Sequence, residues 1–242
     1  MSEMKDNVIG DVDEILGWKV QVEKAQQVPK KDALTLGGTA QEFKAAVMFV
    51  DVRNSSSLTD AHRRATTMKI YNAFLNGTIR IVRANKGHIR SFTGDGILAF
   101  FDPTVGNPPV VAVRTAKQIL YFVRGVLRPA LKQRKYADEF AIGIGITYGT
   151  IVATRVGIKG EENNAMVWPA RAVNLASKLS SNREYPDHIC VEKAVFEALP
   201  MEMRRPVSSW DYFWQGAFWE KTSFKFAGEW TDYWKSKLAE EF

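Results

Sequence analysis

The chain is expected to fold as an α+β protein, an antiparallel-rich sheet with helices packed on one face. Three observations point there. Apolar, strand-length segments bounded by turn residues recur at Lys44–Val50, Ile89–Phe101, Phe140–Val156 and His188–Val191. Between them, Thr59–Ala84 and Val110–Leu127 carry apolar residues at steps of three and four, the spacing of amphipathic helices. The resulting order, βαββαββα with additions, mixes hairpins with helices and so implies one sheet carrying a helical layer.

Residues 1–40 read as an N-terminal helix and linker. Val8, Ile9, Val12, Ile15, Leu16 and Val20 recur at helical spacing over Val8–Val22, and Pro29–Asp32 and Leu36–Thr39 follow as linker. This segment is expected to pack on the main domain or on a partner subunit. The main domain, 41–200, opens with the strand Lys44–Val50, the polar turn Arg53–Ser57 and the helix Thr59–Ala84, closed by Gly87. The hairpin Ile89–Phe101 follows, then the loop Asp102–Pro109 and a helix from Val110 to Leu127 that continues toward Arg134 across Pro129. Phe140–Thr147 is a strand, Tyr148-Gly149 turns it, and Ile151–Val156 returns as its hairpin partner. Pro169 opens a helix over Ala170–Leu179, as proline does in a first turn. A strand at His188–Val191 and a helix near Lys193–Leu199 complete the domain. The extension 201–242 holds Trp210, Trp214, Trp219, Trp230 and Trp234, five of the seven tryptophans, and is expected to pack on the domain or a dimer interface. Stacking on nucleobases is the alternative use of such a run.

At 242 residues, 45% hydrophobic and 25% charged, the composition is that of a soluble globular protein. No apolar run approaches the ~20 residues that span a bilayer. The mixed charges of Met1–Asp6 are unlike a secretory signal, so a cytoplasmic protein is expected. Cys190 is alone, which excludes an intrachain disulfide and metal clusters of the paired-cysteine kind. A net charge of +6 points to an anionic ligand: nucleic acid, a phosphate-rich small molecule or a membrane surface. Arg63, Arg64, Arg80, Arg83, Lys86 and Arg90 are dispersed along and after one helix, the pattern of a solvated basic face.

Two carboxylates stand at points where a sheet can bring them together. Asp51 ends the apolar run Ala45–Val50, and Asp95 sits in Gly94-Asp95-Gly96, where Asp-Gly is a hairpin signal. A strand-end acid beside a hairpin-tip acid suits two divalent cations, which take carboxylate oxygens supplemented by a backbone carbonyl and substrate phosphates. Ordinary turn chemistry is the alternative for each aspartate alone.

Phe49-Val50-Asp51-Val52, Gly94-Asp95-Gly96, Gly145–Ile151 and Val173–Leu179 occur in the order and spacing of class III nucleotidyl cyclases, which the chain resembles over about residues 43–200. The resemblance implies a ferredoxin-like palm acting as a homodimer, with active sites formed between the subunits. It implies that Asp51, Asp95 and the Val52 carbonyl hold two Mg²⁺ or Mn²⁺ ions. Asn174 from the partner subunit would orient the ribose. Four residues on, where the family has an arginine that stabilises the α-phosphate, this chain has Lys178, which supplies charge without a bidentate fork. Arg155, Lys221 and Lys225 are further candidates for the phosphates.

The resemblance also bears on the base. Adenylate-type members have a lysine four residues before the second metal aspartate and an aspartate seven before the asparagine; guanylate-type members have glutamate and a small residue. Here these positions are Ser91 and Val167. Trp168 follows, filling space a purine would use, and Phe49 can pack on the base face. A pocket so reduced suits a pyrimidine. With no acid in Ile89–Thr93 or Ala165–Ala172, and with Arg90 and Ser91 able to donate, uracil is favoured over cytosine. The chain thus resembles most the bacterial Pycsar pyrimidine cyclases. That implies conversion of UTP to 3′,5′-cyclic UMP and pyrophosphate, a signal read by a separate cyclic-nucleotide-sensing effector in anti-phage defence. No membrane or nucleic-acid partner is expected. A cytidylate or adenylate cyclase of the same fold, or a non-catalytic nucleic-acid-binding module, is the alternative.

Overall fold

A computed structural model describes residues 2–137, 139–181, 188–204, 214–218 and 223–226. The chain opens with helix α1 (Ser2–Leu16) and strand β1 (Gln21–Lys24), followed by the long strand β2 (Thr39–Val52). The first helix therefore begins and ends earlier than the Val8–Val22 span its apolar spacing suggested. Gly17 closes it, donating to the carbonyls of Asp13 and Glu14, and the β-branched Val20 and Val22 lead into β1. β1 lies parallel to β2, from Gln21 opposite Thr39 to Lys24 opposite Glu42. The apolar stripe of α1 (Val8, Ile9, Val12, Ile15, Leu16) remains exposed, so it does not pack on the described part of the domain.

Helix α2 (Ser55–Ala61) and helix α3 (Arg64–Ala84) replace the single helix expected over Thr59–Ala84. His62 and Arg63 between them are extended, which breaks the helical ladder. Strands β3 (His88–Thr93) and β4 (Gly96–Phe101) form the hairpin. Helix α4 (Pro108–Tyr121) runs through a π-helical turn at Phe122–Leu127 into α5 (Arg128–Gln133). The widened turn ends just upstream of Pro129, which has no N–H to return to the preceding turn.

Strand β5 (Ile142–Gly157) is the largest departure from expectation. Tyr148-Gly149 does not turn. The strand runs unbroken because β2 offers it an equally long partner, antiparallel from Ala40 opposite Thr154 to Val52 opposite Ile142, with Gly149 simply paired to Ala45. Strand β6 (Asn164–Val167) pairs with the far end of β5. Helix α6 (Arg171–Ser180), strand β7 (His188–Glu192), helices α7 (Lys193–Ala198) and α8 (Met201–Arg204), and strands β8 (Trp214–Phe218) and β9 (Ser223–Phe226) complete the described chain. The main path of the sheet is β3-β4-β2-β5-β7-β9-β8, parallel only at β5–β7 along that path. The tail thus adds strands β9 and β8 beside β7. Trp210, Trp219, Lys221, Trp230 and Trp234 lie outside the described residues.

β2 is buried on both faces, as a central strand with an almost continuous apolar run should be. Ala46, Met48, Val50 and Val52 join the core under α3 and α4, with Ile70, Phe74, Ile119 and Leu120. This is the expected helical layer. Phe43, Ala45, Val47 and Phe49 face the other way and pack with Phe100, Trp168, Ala172 and Ala176. Helix α6 therefore lies across the second face. It approaches the sheet backbone directly, since a Cβ on Gly145 would overlap the Ala176 carbonyl and come within 2.6 Å of the Ser180 nitrogen.

Gly145→Ala is consequently expected to push α6 off the sheet and cost about 3 kcal/mol, the upper range for overpacking. Chemical denaturation would read this as a lowered midpoint at unchanged slope.

Candidate active site

Asp51 lies near the end of β2 on the same face as Val47 and Phe49, because alternate residues of a strand share a face. Asp95 comes from the β3–β4 loop. Thr93 pairs with Gly96, so the loop residues are Gly94 and Asp95, not the Asp-Gly dipeptide that signalled the hairpin. Gly94 takes φ +62° while Asp95 stays at negative φ, the pattern of a turn with glycine at its first central position. Ile97 of β4 is opposite Val50 of β2, which sets the loop beside Asp51.

Burial raises the Asp51 pKa and the neighbouring Asp95 charge raises it further, while Arg53 and the Val52 N–H act in the opposite direction. The Asp95 Oδ2 is buried without a hydrogen-bond partner among the described residues. Two carboxylates side by side, one with an orphaned buried oxygen and with Arg53 offsetting only part of their effect, are a donor set that fits hard divalent cations. No group of three or more His, Cys, Asp or Glu side chains converges among the described residues. Further ligands would thus come from backbone carbonyls, such as that of Val52, and from substrate phosphates.

Arg53 was read from the sequence only as part of a polar turn, yet it ties the site together. Its Nη2 donates to the Ser180 carbonyl at the end of α6 and lies 2.9 Å from the His188 Nε2 on β7. Its position two residues after an acid on a strand end was the available signal. On α6, Ala172, Ala176, Leu179 and Ser180 are buried, while Asn174 and Lys178 are exposed one turn apart. Lys178 is not among the charges that act on Asp51. The chain does not bring Asn174 and Lys178 onto its own carboxylates; it presents them outward.

The base-reading candidates separate. Phe49 is half-buried on the Asp51 face. Ser91 is half-buried on β3, and Val167 is half-buried on the edge strand β6. Trp168 is core, only 8% exposed, with its ring centroid 4.7 Å from that of Phe100 and 6.1 Å from that of Phe43. Arg90 is not free to read a base. It is the extra residue of a β-bulge between Ile89 and Ser91, and bulges re-aim side chains. Its guanidinium donates to the carbonyls of Pro29 at 3.2 Å, Val28 at 3.4 Å and Ile89 at 3.2 Å.

That clamp belongs to a second feature absent from the sequence reading. Asp102, fully buried, accepts from the Val28 N–H at 2.9 Å, from the Thr104 hydroxyl and N–H, and from the His88 Nε2 at 3.1 Å. Burial pushes this carboxyl up, but those donors outweigh it and hold it below its ordinary value. His88 is itself lowered, by burial and by Arg90 and Arg83 against the pull of Asp102. The stretch around Val28–Leu34 is thereby strapped across the sheet, with Val28 and Leu34 buried. A larger cavity of about 900 Å³ opens between α2 and residues 132–141, with neither Asp51 nor Asp95 in its walls.

A family model for the adenylate and guanylate cyclase catalytic domain matches residues 39–213. The chain belongs to that family. It is a class III nucleotidyl cyclase, an enzyme class that acts on nucleoside triphosphates, generally uses divalent cations and is often dimeric. A uridylate cyclase of Rhodovulum sp. is 27% identical over 90% of this chain and 91% of its own, and one of Burkholderia cepacia is 29% identical over 75% and 79%. The crystal structure of the adenylyl cyclase CyaB from P. aeruginosa shares the fold, with a TM-score of 0.64 and 21% identity over 80% of this chain and 98% of that one. Among the described residues no helix is long and apolar enough to cross a membrane.

Asp95→Asn should relieve the repulsion and raise the metal-free melting temperature by about 2–4 °C, the response to ~1 kcal/mol in a chain of this size. Mn²⁺ should stabilise the natural protein more than this variant in the same scan. Asp102, whose pKa is depressed, contributes stability that is present above the ordinary carboxylate pKa and lost as pH falls through the lower folded value. Asp102→Asn should cost about 1–3 kcal/mol at neutral pH and flatten the acid limb of the stability profile.

Proposed function

We propose that the protein is a uridylate cyclase, converting UTP to 3′,5′-cyclic UMP and pyrophosphate as a homodimer with composite active sites. The observation that carries the cyclase chemistry is the orphaned, buried oxygen of Asp95 beside Asp51. Support for uracil comes from the uridylate cyclases similar to this chain over most of their length, and from Ser91 and Val167 at the positions that read purines in other members. Asp51, Asp95 and the Val52 carbonyl would hold two divalent cations, which when bound would lower the pKa of the ribose 3′-hydroxyl and neutralise triphosphate charge.

The chain's own groups would do the rest. Asn174 of the partner subunit orients the ribose so that its 3′-oxygen faces the α-phosphorus. Lys178 of the partner subunit sets positive charge beside the α-phosphate while the new O–P bond forms and the bond to the β-phosphate breaks. The 3′-hydroxyl proton passes to solvent and pyrophosphate leaves. The outward presentation of Asn174 and Lys178 on α6 supports a two-fold arrangement, in which each copy completes the other's site. We place the enzyme in the cytoplasm, its product an anti-phage alarm signal read by a separate effector.

In competition among ATP, GTP, CTP and UTP with Mn²⁺, cyclic UMP should dominate. Asp51→Ala and Asp95→Ala should each abolish it while leaving fold and dimer intact. Mixing inactive Asp95→Asn with inactive Asn174→Ala protein should restore about a quarter of natural activity, since random pairing gives one intact site in half the dimers. Dominant cyclic CMP or cyclic AMP would overturn the base assignment and leave the two-carboxylate site standing. Failure of the mixture to regain activity would overturn the composite site.

A further inference from the structure

The strap carries two lysines to a place where, with Arg90 committed to carbonyls, Ser91 is the base-reading donor left. A cavity of about 400 Å³ opens beside β3 and β6, and its walls include Lys30, Lys31, Arg90, Ser91, Ala165 and Met166. It therefore joins Ser91, on one base-reading position, to the strand that carries the other, Val167. Arg90 spends its donors on the strap. The Ser91 hydroxyl and the two ammonium groups engage in no hydrogen bond or ion pair among the described residues. Lys30 and Lys31 are exposed, yet their backbone is not that of a loose tail. The Val28 N–H is held by Asp102, the Val28 and Pro29 carbonyls by Arg90, and the Leu34 carbonyl by Arg155 at 3.5 Å. Upstream, the Ala25 N–H donates to the Glu42 carbonyl at 2.8 Å, continuing the β1–β2 pairing. The lysines are thus delivered from two sides of a fixed segment, with Val28 and Leu34 buried as its anchors.

We infer that Lys30 and Lys31 are specificity-determining residues, donating from the N-terminal strap to the carbonyl oxygens of a pyrimidine base held against Ser91. This rests on the uridylate cyclase reading above. Uracil presents O2 and O4 as acceptors and only N3–H as a donor, so a pocket rich in ammonium and hydroxyl donors matches it. Cytosine replaces O4 with an amino donor, which faces no carboxylate here, since Asp32 lines the neighbouring cavity with Arg155 and not this one. A site built around donors to one carbonyl discriminates against the analogue that offers an N–H there, because two donors then face each other. The segment 1–40 then does more than cover the domain. It contributes to the choice of substrate.

The test is steady-state turnover of UTP, CTP and ATP by the full chain and by Lys30→Met, Lys31→Met and the double variant, with melting temperature measured in parallel. The double variant is expected to raise KM for UTP about tenfold and narrow the UTP-over-CTP ratio by a similar factor, at unchanged melting temperature. Lys30→Arg with Lys31→Arg is expected to recover most of that ratio. An unchanged ratio in a double variant that still makes cyclic UMP overturns the inference and leaves the uridylate cyclase reading intact. Equal losses for all three nucleotides also overturn it, assigning the lysines to the shared phosphates or to the fold. A natural protein that makes no cyclic UMP brings down the uridylate reading itself, a result visible before any variant is assayed.

Discussion

Two carboxylates set side by side repel one another, and this chain holds Asp51 and Asp95 together by making each a consequence of sheet pairing. Asp51 is fixed because β2 is pinned on both sides, by β4 and by the full length of β5. Asp95 is fixed because a two-residue loop leaves its carboxylate little freedom once Gly94 has taken positive φ. Burial first, and then the neighbouring Asp95 charge, raise the pKa of Asp51, and Arg53 offsets part of that rise. Strain of this kind survives only where the surroundings over-determine it. Here those surroundings are the continuous β2–β5 ladder, the cores on its two faces, and the Arg53 tie that runs from the site to the end of α6 and to β7.

The same ladder explains where the remaining groups go. Because Gly143 and Gly145 have no side chains, α6 lies close enough to β5 for a Cβ at either position to overlap the α6 backbone. That leaves the opposite face of α6, with Asn174 and Lys178, turned to solvent. A helix packed by its backbone against glycines is held close to the sheet, which fixes the height at which Asn174 and Lys178 stand. On the second face of the sheet, Trp168 closes the core over Phe43 and Phe100 and so shapes the floor below β6 without lining the cavity beside Ser91.

Much of this was legible in the sequence because it rests on local patterns. Period-two and period-three-to-four spacing located β2, the hairpin, α3, α4 and α6, and an acid at a strand end beside an acid at a turn pointed to the carboxylate pair. What was not legible depends on partners distant in the chain. Tyr148-Gly149 has the composition of a turn, and only the length of β2, a hundred residues earlier, makes it strand. Arg90 had the chemistry of a base reader, and only the bulge and the Val28 and Pro29 carbonyls commit it elsewhere. Asp102 reads as a loop residue, yet it is the buried acceptor for the strap. Pro29–Asp32 looks like a linker because strap and linker share proline, lysine and little periodicity.

Strap and carboxylates together suggest how a small chain of this family can change its substrate without changing its chemistry. The carboxylate pair belongs to the sheet, and on the proposed reading it serves the triphosphate and ribose that every nucleotide shares. The strap is held by Arg90 of β3, by Asp102 just after β4 and by Arg155, which lies one residue past the last β2–β5 pair. Substitutions at Lys30 or Lys31 would alter what is offered to the base while leaving that ladder untouched, whereas substitutions at Ser91 or Val167 act within strands and so perturb pairing as well. On the proposed reading, selectivity is thus carried partly by the segment that is easiest to vary. Its position is nonetheless set by Asp102 and Arg90, two buried or half-buried groups whose loss would misplace both lysines at once.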